Sequence, residues 1–209
     1  MTTTLTPTDP RTTPNAASRP TVIAIALLTA VLGIAAVLGP NLVANGNDMA
    51  MSMGMTHYME LLGTNQPWNL LLFMGVPVVL AETLAISELA LLLPGERSRW
   101  VRQANHVAGL LAGPAMLAIT IHLLINAVIP LTAANGWRGP ADAIAVLFYL
   151  AGVIPFVSIT LVELGLLGRT EAAAQRLRAT HIAVFLVVAH VAMVFGMMDP
   201  SVLGYVMHH

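Results

Sequence analysis

Two glutamates and two histidines recur at one interval. Glu88 stands before His106 as Glu163 stands before His181, and the segments carrying them align without a gap: ELALLLPGERSRWVRQANHVAGLL over 88–111 and ELGLLGRTEAAAQRLRATHIAVFL over 163–186. Most identities are Leu or Ala, which an apolar chain supplies by chance. The pairs Glu88/Glu163, Glu96/Glu171 and His106/His181 are different, because the chain holds only ten acids and seven histidines. Such self-similarity marks a repeat. Two carboxylates and two imidazoles converging from four helices would suit a single transition metal ion such as Zn or Fe. They lack the Glu-x-x-His spacing of di-metal carboxylate bundles. His106 and His181, level on different helices, also meet the demand of bis-imidazole ligation of haem b, although two carboxylates at that level are poor company for a macrocycle. The remaining readings are proton transfer, or a Glu–His hydrogen bond that staples each hairpin and holds nothing.

A second polar layer has no counterpart in the repeat. Glu82 and His190 fall near the middle of their apolar runs, and His122 and Asn126 lie further along theirs. Ionisable residues inside a membrane are costly and usually face a bundle interior or a wet cavity. Pro77, Pro114 and Pro155 also fall in the middle thirds of such runs. Each leaves the carbonyl four residues earlier, on Phe73, Leu110 and Ala151, without its helical donor. These groups define a polar cavity or a path for an ion or proton. The structural alternative is a set of tolerated prolines and neutral, internally bonded side chains.

A third group is soft. Met49, Met51, Met53, Met55 and Met59 alternate through DMAMSMGMTHYME with His57 among them, and the chain ends Met207-His208-His209. Thioethers select Cu(I) and imidazole adds Cu(II) or Zn, so Met51, Met53, Met55, His57, His208 and His209 are candidate copper contacts. Flexible methionines also pad interfacial segments without binding anything.

The elements that must position these residues follow from composition. Of 209 residues, 57% are hydrophobic and 9% charged, with a mean hydropathy of +0.79; soluble domains carry about 25% charged residues. This is an all-α integral membrane protein whose solvent is the lipid bilayer. Net charge near zero and no basic patch exclude nucleic acid. The absence of cysteine excludes disulfides and thiolate ligands. Five runs reach the length of about 20 apolar residues that a bilayer demands, near 21–43, 68–93, 101–130, 141–167 and 179–198. Arg11 and Arg19 precede the first, Arg97, Arg99 and Arg102 join the second to the third, and Arg169, Arg176 and Arg178 join the fourth to the fifth. Only Arg138 falls on the other side. The positive-inside rule then puts the N-terminus in the cytoplasm and the C-terminus outside, in a bacterial inner membrane. The second to fifth spans form a duplicated hairpin, two parallel repeats packed as a four-helix bundle. Domain organisation reads as a disordered Thr/Pro-rich tail over 1–19, a first span over 20–45, an outward Met/His-rich segment over 46–66 and the bundle over 67–209. The first span also has the arginines, apolar run and small residue (Ala44) of a signal peptide, but its apolar run is long for one; an uncleaved helix is the reading adopted.

The stretch Met55–Leu70, MTHYMELLGTNQPWNL, continuing into PVVLAETLAISELALL, resembles a family of small bacterial membrane proteins loosely labelled permeases. The likeness covers Met55 to about Leu93 closely and the rest by helix pattern. It implies a multi-pass transport-type protein and brings no site residues with it. Physically, Asn65-Gln66-Pro67-Trp68 supplies a helix entry with proline near the first turn and tryptophan at the interface. His57, Tyr58 and Glu60 then lie on a short interfacial helix over the bundle. The expectation is a permease-like protein moving or binding a metal ion or proton, with contacts at Glu82, His122, Asn126 and His190. The alternatives are a copper-handling or cofactor-bearing subunit of a membrane complex, and a non-catalytic helical scaffold. No nucleophile–base pattern points to an enzyme. Because four or five helices make a narrow bundle, any larger substrate implies a homodimer.

Overall fold

The computed structural model describes residues 17–43, 54–93 and 98–204. Most of the N-terminal tail, Ala44, the methionines from Met49 to Met53, residues 94–97 and the final Met207-His208-His209 lie outside the described residues. Every regular element among them is helical, and five helices are long and apolar enough to cross a membrane. We number the helices α1 (Arg19–Leu38), α2 (His57–Gly63), α3 (Trp68–Leu92), α4 (Arg99–Ala133), α5 (Gly139–Glu163) and α6 (Glu171–Gly196). The expected spans fall on α1 and α3–α6. The largest departure is the start of α6, which precedes the apolar run. Thr170 caps it by accepting a hydrogen bond from the Ala173 N–H, and Glu171 follows in the first turn, so a polar helical entry precedes the apolar part.

The helices α3, α4, α5 and α6 form a ring in which each packs on the next and α6 returns to α3, while α1 lies outside against α4. Phe73, Leu84, Met116, Phe156 and Ile159 are fully enclosed, and the Phe156 and Phe185 rings stack with centroids 4.0 Å apart. Lipid is as apolar as leucine, so close packing and internal hydrogen bonds hold such a ring together. Helices α4 and α5 approach closely. A Cβ on Gly109 would stand 2.6 Å from Glu163 Cγ, and one on Gly113 2.6 Å from Thr160 Oγ1. The Thr160 hydroxyl uses that space: it accepts from the Gly113 N–H at 2.9 Å and donates to the Gly109 carbonyl at 2.7 Å.

Proline explains the irregular turns. Pro77 leaves the Phe73 carbonyl without its helical donor, and α3 widens into a π-turn over Leu71–Gly75. The Tyr149 hydroxyl of α5 donates to that carbonyl at 2.5 Å. Likewise Pro40 cannot donate to the Ala36 carbonyl at the end of α1, and His122 Nδ1 does so instead, at 3.1 Å. Among the groups expected to open a polar path, His122 is thus largely consumed in closing a helix end; its Nε2 accepts from the Leu42 N–H at 3.4 Å.

Candidate functional site

The densest polar construction lies at the end of the bundle that carries α2. Thr56 caps α2 by accepting from the Met59 N–H and donates its hydroxyl to the Gly196 carbonyl of α6 at 2.5 Å. Tyr58, Leu61 and Leu62, spaced as one helical face, bury α2 against the bundle. His57 begins the helix with its backbone N–H donating to Asp142 Oδ1 at 2.7 Å, and its ring Nδ1 lies 2.6 Å from Asp142 Oδ2. Asp142, in the first turn of α5, is wholly enclosed. Its Oδ2 also accepts from the Arg138 N–H at 3.0 Å, as the acid of a capping box reaches back to the helix start. The Arg138 guanidinium donates to the Met55 carbonyl at 2.7 Å and to Glu60 Oε2 at 2.6 Å. One arginine therefore ties α2 to α5.

The carboxylate fixes the histidine's tautomer. With Nδ1–H directed at Asp142, Nε2 of neutral His57 is left as an acceptor. The ring borders a cavity of about 280 Å³ beneath α2, whose other polar walls are Glu60, Asn126, Tyr58 and Tyr149. Burial pushes the Tyr58 phenol up to about 12, so it stays neutral at any physiological pH. Asn126 gives one amide hydrogen to the His122 carbonyl at 2.9 Å.

A second cavity of about 240 Å³ lies deeper, between α3 and α6, with Glu82 and His190 on its walls. The two cavities share Tyr58 and Tyr149, whose ring centroids are 5.3 Å apart. Both Glu82 and His190 are exposed at the surface of the chain. His190 Nδ1 donates to the Leu186 carbonyl of its own helix at 2.6 Å, while Glu82 has no hydrogen-bond or salt-bridge partner among the described residues.

At the opposite end the repeated residues meet in a different pattern from a hairpin staple. Glu88 takes Asn105 as its hydrogen-bond partner, at 3.1 Å, and His106 reaches across to Glu163, Nδ1 to Oε2, at 2.7 Å. Arg178 of α6 stands between the two glutamates, 3.1 Å from Glu163 Oε1 and 3.4 Å from Glu88 Oε2. His181 donates Nδ1 to the Leu177 carbonyl and joins neither acid. Glu88, His106, Glu163 and His181 thus do not form one four-ligand shell, because a guanidinium already fills the position between the carboxylates. No group of three or more acids and histidines among the described residues could hold a metal. Of the soft contacts, Met55 contributes its backbone carbonyl to Arg138 and His57 its ring to Asp142, whereas Met51, Met53, His208 and His209 lie outside the described residues.

Sequence reasoning passed over Asp142, Arg178, Asn105 and Asn69. The signal for Asp142 was present in Arg138-Gly-Pro-Ala-Asp, a proline in the first turn of a helix followed by an acid. Asn69 is fully enclosed and gives its amide hydrogens to the Leu42 and Leu61 carbonyls and to Thr64 Oγ1. It pins the end of α2 and the segment after α1 to α3.

Fold and site together define a polytopic, all-helical membrane-type protein with enclosed polar clusters at both ends of its bundle. The chain belongs to a family of unknown function, DUF6803, matched over residues 53–209. The match begins just before the MTHYMELL motif and takes in α2 and the whole ring. No curated protein and no solved structure matches the chain.

Proposed function

We propose that this is a small transport-type, permease-like protein of a bacterial cytoplasmic membrane that passes a small cation or a proton along the bundle. The observation that carries the reading is the pair of cavities on either side of Tyr58 and Tyr149, each bordered by titratable groups: His57 and Glu60 in one, Glu82 and His190 in the other. In this reading α3–α4 and α5–α6 are copies of one hairpin, and the arginine asymmetry sets the α2 end outside. The solute enters beneath α2, where His57 is held by Asp142, and passes the two tyrosines. It reaches Glu82 and His190 in the middle of the membrane. The Glu88–Arg178–Glu163 cluster closes the cytoplasmic end, its buried charges compensated within the protein.

The test is flux. Purified full-length chain in proteoliposomes, loaded with a pH-sensitive dye and given a potassium diffusion potential, is expected to acidify or alkalinise faster than empty vesicles when a small cation is supplied. Glu82→Gln is expected to abolish the difference. Equal rates for protein-bearing and empty vesicles, with every common monovalent and divalent cation, would overturn the reading.

A further inference from the structure

Around the cavity beneath α2, three side-chain acceptors are left over among the described residues. His57 commits Nδ1 to Asp142 and leaves Nε2 as an acceptor. Glu60 commits Oε2 to Arg138 and leaves Oε1. Asn126 commits one amide hydrogen to the His122 carbonyl and leaves Oδ1 and its second amide hydrogen. None of these three acceptors has a partner among the described residues; the side-chain donors left on the cavity wall among them are the Tyr58 hydroxyl and the second Asn126 amide hydrogen. Among the described residues, the carboxylates of Asp142 and Glu60 are paired with the His57 imidazole and the Arg138 guanidinium respectively. The remaining wall is apolar, built by Val43, Leu61, Leu123, Leu131 and Val146, and closed by the two tyrosine rings.

We propose that this cavity binds a small protonated amine with an apolar body. The inference rests on the transport reading above and names its substrate class. The ammonium head donates to His57 Nε2, Glu60 Oε1 and Asn126 Oδ1. The tyrosine faces attract it by cation–π contact, and the apolar body fills a cavity of about 280 Å³. A metal ion fits less well, because among the described residues only His57 and Glu60 bring a metal-binding side chain of the His, Cys, Asp or Glu kind to its walls. Proton and amine compete for one atom, since a proton on His57 Nε2 turns that acceptor into a donor. Asp142 and Arg138 from α5, Glu60 from α2 and Asn126 from α4 are the groups that set that competition. The face of α6 toward α2 contributes the Gly196 carbonyl, which Thr56 occupies.

The experiment uses the full chain in detergent, titrated calorimetrically with benzylammonium and butylammonium, with the neutral isosteres benzyl alcohol and butanol, and with Zn²⁺. Saturable binding of the amines, about tenfold or more tighter than the alcohols and weakened about tenfold by Glu60→Gln, is expected. Should Glu60→Gln fail to fold, the wild-type comparison of amine with alcohol decides alone. Alcohols binding as tightly as amines, Zn²⁺ saturating the site where amines do not, or no saturable amine binding would each overturn the assignment. Cation flux without amine binding would overturn the ligand class and leave transport standing. Amine binding without flux of amine or proton would do the reverse.

Discussion

His57 Nδ1 lies 2.6 Å from Asp142 Oδ2, although 85 residues separate them. This contact and its neighbour, the Arg138–Glu60 pair, tie the short helix α2 to α5 beside its buried apolar face. Asp142 is wholly enclosed, accepts three hydrogen bonds and is bonded to both ends of the junction. Replacing it by Ala removes all three acceptors at once and leaves the His57 and Arg138 N–H groups without partners. We expect Asp142→Ala to cost about 3–5 kcal/mol and Asp142→Asn less. Thermal melts in detergent, with limited proteolysis at the 54–66 segment, would report it.

Arg178 compensates two buried glutamates. Removing it leaves both acids without a positive neighbour on α6. Arg178→Met is expected to destabilise the chain by about 3–5 kcal/mol, and adding Glu88→Gln to recover part of that loss, because one of the stranded charges goes with it. Melting temperatures of the two variants decide this. Equal melting of the wild type and Arg178→Met would show that the acids need no such compensation.

The α4–α5 contact leaves no room for a methyl group. Gly113→Ala drives a Cβ to 2.6 Å from Thr160 Oγ1, and Gly109→Ala does the same to Glu163 Cγ. Each is expected to cost about 1–3 kcal/mol through overpacking. Thr160→Val, which keeps the shape and loses the hydroxyl, is expected to cost about 1–2 kcal/mol through the groups it leaves unpaired. Denaturant unfolding of the three variants separates space from hydrogen bonding.

Tyr58 gives a pH signature. Its phenol is raised by burial from 10.0 to about 12, so above the ordinary value the unfolded chain loses a proton that the folded chain keeps. Stability from this group is intact below pH 10 and falls as pH rises from 10 toward 12, by about 2–3 kcal/mol at most. Melting curves of the wild type and Tyr58→Phe between pH 9 and 12 are expected to converge as the pH increases. Parallel curves would place the phenol in water.

The helices were legible because apolar length alone dictates a span, and the proline positions because a missing N–H has a fixed address. The freed carbonyl of Phe73 was foreseen; that Tyr149 would answer it was not, since the donor lies on another helix. The same limit governs the sites. Glu88, His106 and Glu163 were singled out by rarity and do lie in one cluster, but their partners were drawn from Asn105 and Arg178. In the sequence Arg178 stands out only as one of the arginines that set topology, and no spacing rule links it to Glu88. Asp142 sat in a recognisable helix start, yet what it holds begins 85 residues earlier. Long-range partnership is set by packing, which one sequence does not display.

Transport requires water to reach Glu82, and the chain contains no cysteine to confuse a thiol probe. The most direct measurement is the reaction of Glu82→Cys and, as the control, Ile86→Cys with a charged, membrane-impermeant thiosulfonate in intact vesicles. Ile86 lies one turn along α3 and is 69% exposed on its apolar surface. The account predicts that position 82 reacts, that His57→Trp beneath α2 slows it, and that position 86 stays silent. Labelling of both positions only by a membrane-permeant maleimide would contradict it, placing Glu82 against lipid with no aqueous path through the bundle.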